Sequence, residues 1–265
     1  MIIKDNMPVP FKTRSAVLIL LIFLGITFSE WVFAYQNVAY GIILALFLAL
    51  IINLAVPIIK IGQPFTDCAE SLVLIPLYIL LTASLPWFFL SQELVLPAVY
   101  AVILALCAWH IYRKDISLRD VGFSGDKFAK YTLIGFLVGA PLGAMEYFII
   151  TPLAAFPTFE IRYLARDFIY MVLFVGLGEE LLFRGLVQRD MTNLFGWRWG
   201  LIGTSLMFGI MHLTWRSIPE LGFTSLAGLA FGYLYHKTHN LTASIMAHGV
   251  GNTILVAVMP YLLPK

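Results

Sequence analysis

The chain has 265 residues, of which 60% are apolar and 12% are charged, and it carries a net charge of +2. Its mean hydropathy of +0.89 lies far above the values of soluble domains. Each bilayer crossing uses about 20 residues, which leaves no room for a sizeable soluble domain. The composition predicts an all-α, polytopic integral membrane bundle, and the small, scattered charge argues against a nucleic-acid partner.

Apolar stretches separated by charged residues or Pro and Gly predict about eight to nine transmembrane helices. The basic N-terminus precedes the first stretch without a small-residue cleavage pattern, so we expect an uncleaved span. Pro76 and Pro86 interrupt the third stretch, which leaves a hairpin or re-entrant segment as an alternative. The candidate spans lie near residues 16–35, 38–59, 71–90, 94–112, 131–153, 167–188, 198–215, 221–236 and 241–263.

The distribution of Lys and Arg over alternate loops predicts the orientation, because cytoplasmic loops carry the excess of positive charge. With the N-terminus inside, twelve basic residues fall on the cytoplasmic side: Lys4, Lys12, Arg14, Lys60, Arg113, Lys114, Arg119, Lys127, Lys130, Arg189, Arg198 and Lys237. The other side has four: Arg162, Arg166, Arg216 and Lys265. We therefore expect a cytoplasmic N-terminus, and the compact chain favours a prokaryotic plasma membrane.

The longest polar connection, residues 113–131, divides the chain into two groups of spans. It mixes basic residues with apolar ones, so it could rest on an anionic membrane surface or form a plain loop. Residues 1–112 are predicted to form an accessory N-terminal bundle of four spans, and residues 113–265 a core of five spans.

The stretch GEELLFRG, residues 178–185, places three ionisable side chains inside an apolar run. Burial of a charge in the bilayer is costly, so such residues usually face a protein interior and have a function. On a helix Glu180 and Arg184 share a face, whereas Glu179 is turned by about 100°. A carboxylate without its own cation suits a general base. The alternative is a structural ion pair with a second glutamate facing a polar cavity.

Two later stretches, FGIMH at 208–212 and HGVGN at 248–252, add polar groups to apolar spans. A single histidine in an apolar helix is commonly a hydrogen-bonded core residue. Here His212, His248 and Asn252 follow the glutamate pair, which favours one shared polar cavity. The two cysteines have no metal-ligand or disulfide spacing and are expected to fill the core.

These three stretches resemble the EExxxR, FxxxH and HxxxN motifs of the CPBP family, the CAAX proteases and bacteriocin-processing enzymes. The family consists of intramembrane glutamic endopeptidases, and the order of the motifs is the same. The resemblance covers about residues 113–258, so it identifies residues 113–265 as a CPBP-like catalytic core with a conical polar cavity. The four N-terminal spans lie outside it.

The resemblance implies a role for each motif residue in hydrolysing a membrane-associated protein or peptide. Glu179 would activate a water that His212 orients, and His248 and Asn252 would form the oxyanion hole. The pair of Glu180 and Arg184 would support the site. CAAX-type processing, removal of a sorting tag and bacteriocin maturation are all compatible with these roles.

Two alternatives remain on the sequence alone. A zinc-dependent membrane metalloprotease could use the two histidines and two carboxylates, but HExxH is absent and Asn252 is a poor zinc ligand. A nonenzymatic proton-coupled transporter or adaptor could use the same residues as a proton relay. Inverted repeats, which many such transporters have, are absent from the sequence. We therefore expect neither a metal nor another cofactor.

Overall fold

The computed structural model describes residues 13–84 and 90–263. Within these ranges all regular structure is helical, as predicted, and strands are absent. The α-helices are α1 (Thr13–Trp31), α2 (Val38–Ala55), α3 (Gln63–Leu72), α4 (Leu74–Ala83), α5 (Gln92–Arg113), α6 (Phe128–Ile150), α7 (Ile161–Tyr170), α8 (Leu177–Glu180), α9 (Arg189–Phe195), α10 (Trp197–Ile210), α11 (Ile218–Thr238), α12 (Leu241–Thr253) and α13 (Met259–Leu262). Wider π-helical turns occupy Val32–Gln36, Met171–Gly176, Leu181–Gln188 and Ile254–Val258.

Within the described residues, six helical stretches are long and apolar enough to cross a membrane, and the chain is an integral membrane protein. They are Thr13–Gln36, Val38–Ala55, Gln63–Ala83, Glu93–Arg113, Phe128–Ile150 and Leu241–Leu262. On the first two, large apolar side chains such as Leu24, Leu50 and Leu54 are exposed, as a lipid-facing surface requires. Residues 167–188, 198–215 and 221–236 are largely helical but are not among these six. That they also cross the bilayer stays a prediction.

The third predicted span, 71–90, differs from the observed helices. The helical stretch begins earlier, at Gln63, and is divided at Val73 into α3 and α4. Pro76 accounts for the break, because proline has no N–H to donate to the carbonyl of Leu72 and its ring clashes with that carbonyl. Pro86 lies outside the described residues, as do Lys4, Lys12 and Lys265.

Helix α12 packs against α6 at very short range, because glycines face it. A Cβ atom added to Gly139 or Gly143 would overlap the α12 backbone at Ala247 or Gly251. On another side of α12, a Cβ on Gly249 would lie within 2.8 Å of the π-helical segment that begins at Met171. Small residues in such positions let membrane helices approach closely. The packing holds α12 beside the chain that leads to GEELLFRG.

The two glutamates of GEELLFRG lie on α8, a single α-helical turn between two π-helical segments. Wide turns of this kind occur frequently at functional sites, because they re-aim side chains within a continuous helix. Helix α8 contacts both α5 and α12. The glutamates therefore lie where the N-terminal helices meet the C-terminal ones.

Candidate active site

Glu180, Arg184 and His248 form a buried polar cluster. Both Glu180 and Arg184 are fully buried, and the Arg184 Nε donates a hydrogen bond of 3.0 Å to Glu180 Oε2. The other oxygen, Oε1, lies 3.0 Å from His248 Nδ1. The guanidinium also lies over the ring of Phe208, 5.0 Å from its centroid. The charge pair expected from the helical spacing is present, and together Arg184 and His248 engage both oxygens of Glu180.

Glu179 has a different environment. Its Oε1 accepts a hydrogen bond of 2.7 Å from the Tyr100 hydroxyl on α5. Its Oε2 has no hydrogen-bond partner among the described residues and lies 3.9 Å from His248 Nε2. The carboxylate expected to be free therefore has one occupied oxygen and one available oxygen.

His212 lies just beyond the end of α10, so the expectation of a helix through 198–215 is wrong at its C-terminal end. The helix ends at Ile210, and the His212 N–H bonds to the Gly209 carbonyl at 2.9 Å. The Phe208 carbonyl, which a continuing helix would pair with that N–H, instead lies 2.8 Å from His212 Nδ1. This bond requires the proton on Nδ1 and leaves Nε2 available.

Glu179 and His212 line the same cavity, which has a volume of about 220 Å³. Its wall includes Tyr78 and Tyr100 from the N-terminal helices, together with Trp215 from the turn after α10. A water molecule takes about 30 Å³ of liquid, so the cavity has room for water and part of a peptide backbone. The described residues thus bring a carboxylate and an imidazole to one polar space.

His248 and Asn252 of the HGVGN stretch do not line the cavity that contains Glu179 and His212. His248 is almost fully buried, stacks on Phe231 at 5.3 Å and meets the edge of Phe208 at 5.6 Å. It contacts the glutamates but does not line the cavity that contains His212. Asn252, one turn further along α12, is half-buried and does not line that cavity either, and its side chain makes no hydrogen bond within the described part of the chain.

Residues 162–254 match the family model described as type II CAAX prenyl endopeptidase Rce1-like. Over this segment the chain is similar to the Rce1-like family. The match confirms the resemblance to CAAX proteases, and it includes all six candidate site residues from Glu179 to Asn252. The match implies a protease that acts on a membrane-associated protein. No curated protein and no solved structure matches the chain.

Three polar residues near the site were not identified from the sequence. Tyr100 lies outside the segment that matches the family model. Nothing in the sequence marked it as a site residue, because tyrosine is common in apolar helices. The carboxyl of Glu146 on α6 lies beside that of Glu220 on α11, and these groups interact electrostatically with Glu179 and His212, respectively. Glu146 falls within the predicted span 131–153, so its charge in an apolar run was a visible signal.

Groups of three or more His, Cys, Asp and Glu side chains arranged to hold a metal ion do not occur in residues 13–84 and 90–263. Cys68 and Cys107 are free and fully buried, in agreement with their predicted place in the core.

Proposed function

We propose that the protein is an intramembrane endopeptidase of the glutamic type. In this proposal it hydrolyses a peptide bond of a membrane-associated protein or peptide with a water activated by Glu179. The supporting observation is that Glu179, whose Oε2 has no hydrogen-bond partner among the described residues, and His212 line one cavity. The Rce1-like match favours CAAX-type processing over bacteriocin maturation or removal of a sorting tag.

The proposed base is Glu179 rather than Glu180, because only Glu179 has an available oxygen. Its Oε2 would take a proton from a water held between it and His212 Nε2. The oxygen of the deprotonated water would then attack the scissile carbonyl carbon. The protonated Glu179 would then give the proton to the leaving amine. Tyr100 would orient the carboxylate through its hydrogen bond to Oε1.

His248 and Asn252 are the proposed donors to the oxyanion of the tetrahedral intermediate. His248 Nδ1 is engaged with Glu180 Oε1, so Nε2 donates only while the ring carries both protons. Arg184 neutralises one of the two neighbouring carboxylates. Donors directed at the developing negative charge are commonly among the largest contributions to catalysis of acyl transfer.

The test compares the membrane proteins of cells that carry wild-type protein with those of cells that carry Glu179→Gln. Glutamine keeps the shape of the side chain but accepts no proton, so a polypeptide terminus produced by the wild type is expected to be absent in the variant. The matched control is Glu160→Gln, which alters a half-buried carboxylate paired with Arg162 and should leave processing unchanged.

The polypeptide found in this way then serves as the substrate of purified protein in vesicles. Glu179→Gln should lower the cleavage rate by about 1,000-fold or more, in keeping with the loss of general base catalysis, and a chelator should have no effect. Chelator-sensitive cleavage restored by zinc would favour the metalloprotease. The absence of any changed terminus would favour the transporter or adaptor.

A further inference from the structure

A second cavity, of about 420 Å³, adjoins the one that contains Glu179 and His212. The two cavities share four wall residues, which are Tyr78, Val99, Met211 and Thr214. Tyr78 thus lies in the wall between the cavity lined by Glu179 and the cavity lined by Glu30. A peptide bound at the first cavity could therefore extend a side chain into the second.

The second cavity contains an unpartnered carboxyl group. Glu30, near the end of α1, is only 3% exposed and lines this cavity. Its carboxyl group makes no hydrogen bond or ion pair with any described residue. Burial of a carboxylate is unfavourable unless a cation or several donors pair with it, and charged groups in membrane spans usually serve function. Glu30 thus has the properties of a group whose partner is a ligand.

The remaining wall of the second cavity is mainly apolar. Phe33, Val38, Ile42 and Ile79 line it, and all four belong to the N-terminal helices or the π-helical turns between them. Lys and Arg side chains bury their methylene stems along apolar surface while the charged head group seeks a polar partner. The second cavity, with its apolar wall and one carboxyl group, fits the apolar stem and the charged head group of such a side chain.

We propose that this cavity is a specificity subsite that binds a lysine or arginine side chain of the substrate, with the cation paired to Glu30. The inference rests on the proposed endopeptidase function and adds a substrate preference to it. Thr82 and Thr214 line the same cavity, and in this proposal their hydroxyls are further acceptors for the cation. The Thr82 hydroxyl already donates to the Tyr78 carbonyl at 2.7 Å, so its lone pairs remain available.

The subsite gives the helices outside the Rce1-like segment a role in recognition. Glu30, Tyr78 and Val99 belong to α1, α4 and α5, whereas Met211 and Thr214 come from the turn after α10. The Arg216 Nε donates a hydrogen bond of 2.7 Å to the Ala34 carbonyl, which ties this turn to the chain just after α1. Recognition of the basic side chain would thereby depend on both parts of the molecule.

The first measurement is binding without cleavage. The full chain with Glu179→Gln is reconstituted in phosphatidylcholine nanodiscs and titrated with acyl-anchored peptides that differ only in one residue, Lys, Gln or Glu, placed at successive positions. At one position the Lys peptide should bind at least tenfold more tightly than the Gln peptide. Adding Glu30→Gln should remove that preference, whereas adding Glu160→Gln should preserve it.

The second measurement is cleavage by protein with an intact Glu179. Glu30→Gln should lower kcat/KM for the Lys peptide at least tenfold and leave the Gln peptide within twofold, and Glu30→Lys should shift the preference towards the Glu peptide. Equal melting temperatures of wild type and Glu30→Gln would show that the fold is intact. Cleavage with no dependence on Glu30 would overturn the subsite alone. Glu30-dependent binding of Lys without any cleavage would overturn the endopeptidase and support the subsite.

Discussion

At the scale of single residues, two adjacent glutamates have different surroundings because of their position on the helix. Glu180 faces Arg184 and His248, which occupy both of its oxygens. Glu179 faces α5 and receives a single hydrogen bond from Tyr100. A Cβ on Gly178 would lie 3.3 Å from the Tyr100 ring, so the glycine before the glutamates helps this tyrosine to approach. The identity of the residue alone does not separate a base from a structural carboxylate.

The hydrogen bond from Tyr100 to Glu179 is expected to position the proposed base. A hydrogen bond to a charged group contributes about 1.5–3 kcal/mol, which corresponds to roughly a 10- to 150-fold change in rate. Tyr100→Phe should lower kcat within this range and change KM little, as measured by initial rates on the cleaved polypeptide. Tyr112→Phe, on the same helix but 87% exposed, is the matched control. An unchanged kcat in Tyr100→Phe would remove Tyr100 from the proposed mechanism.

At the scale of helices, the position of His248 depends on how closely α12 packs against α6. Glycines at every fourth position of α6, at 135, 139 and 143, form a groove that receives α12. The i, i+4 spacing places them on one face, which is why the backbone of α12 can approach. Helix α10, which lies between α6 and α12 in the chain, ends before His212, where the imidazole of His212 takes the place of a backbone N–H at the Phe208 carbonyl.

Filling the groove on α6 should destabilise the protein. A Cβ atom on Gly143 would overlap the carbonyl of Gly251, and overpacking of this kind costs about 1–3 kcal/mol. Gly143→Ala should therefore lower the midpoint of thermal or denaturant unfolding in detergent micelles. In Gly222→Ala, the added methyl group meets open space on an exposed helical face, so no loss is expected. Equal stability of both variants would contradict the observed packing.

At the scale of the whole molecule, the N-terminal helices supply part of the wall of the candidate site. Tyr78 and Tyr100 line the cavity that contains Glu179 and His212, and Arg216 bonds to the backbone at Ala34. The division into an accessory bundle at 1–112 and a catalytic core at 113–265 stays a prediction. The observed contacts indicate that the first group contributes walls and a hydrogen bond to the second.

The orientation of the molecule is tested by labelling single cysteines with a membrane-impermeant maleimide. The native Cys68 and Cys107 are fully buried, so they should give little background. Gly125→Cys, in the basic connection before α6, should react only from the cytoplasmic side, and Thr158→Cys, after α6, only from the other side. Both positions are exposed. The reverse pattern would contradict the orientation deduced from Lys and Arg.

The sequence by itself determined the features that depend on local spacing. Apolar runs predicted a helical membrane protein, and the four-residue spacing of Glu180 and Arg184 predicted their ion pair, because helical periodicity is a property of neighbouring residues. The motif order was sufficient to indicate the protease family, whose model matches residues 162–254. Pro76 predicted an interruption in the third span, although the residue at which the helix breaks was not predicted.

Only the tertiary structure decided which distant side chains meet. Tyr100 reaches Glu179 across 79 positions of sequence, and Glu30 lines a cavity that adjoins the one at Glu179 although the two residues belong to α1 and α8. Such contacts depend on helix packing angles and on the wide turns around α8, which involve many residues at once and leave no fixed spacing in the chain. For this reason periodicity predicted the helices and their polar faces, and packing alone determined the cavity that the faces enclose.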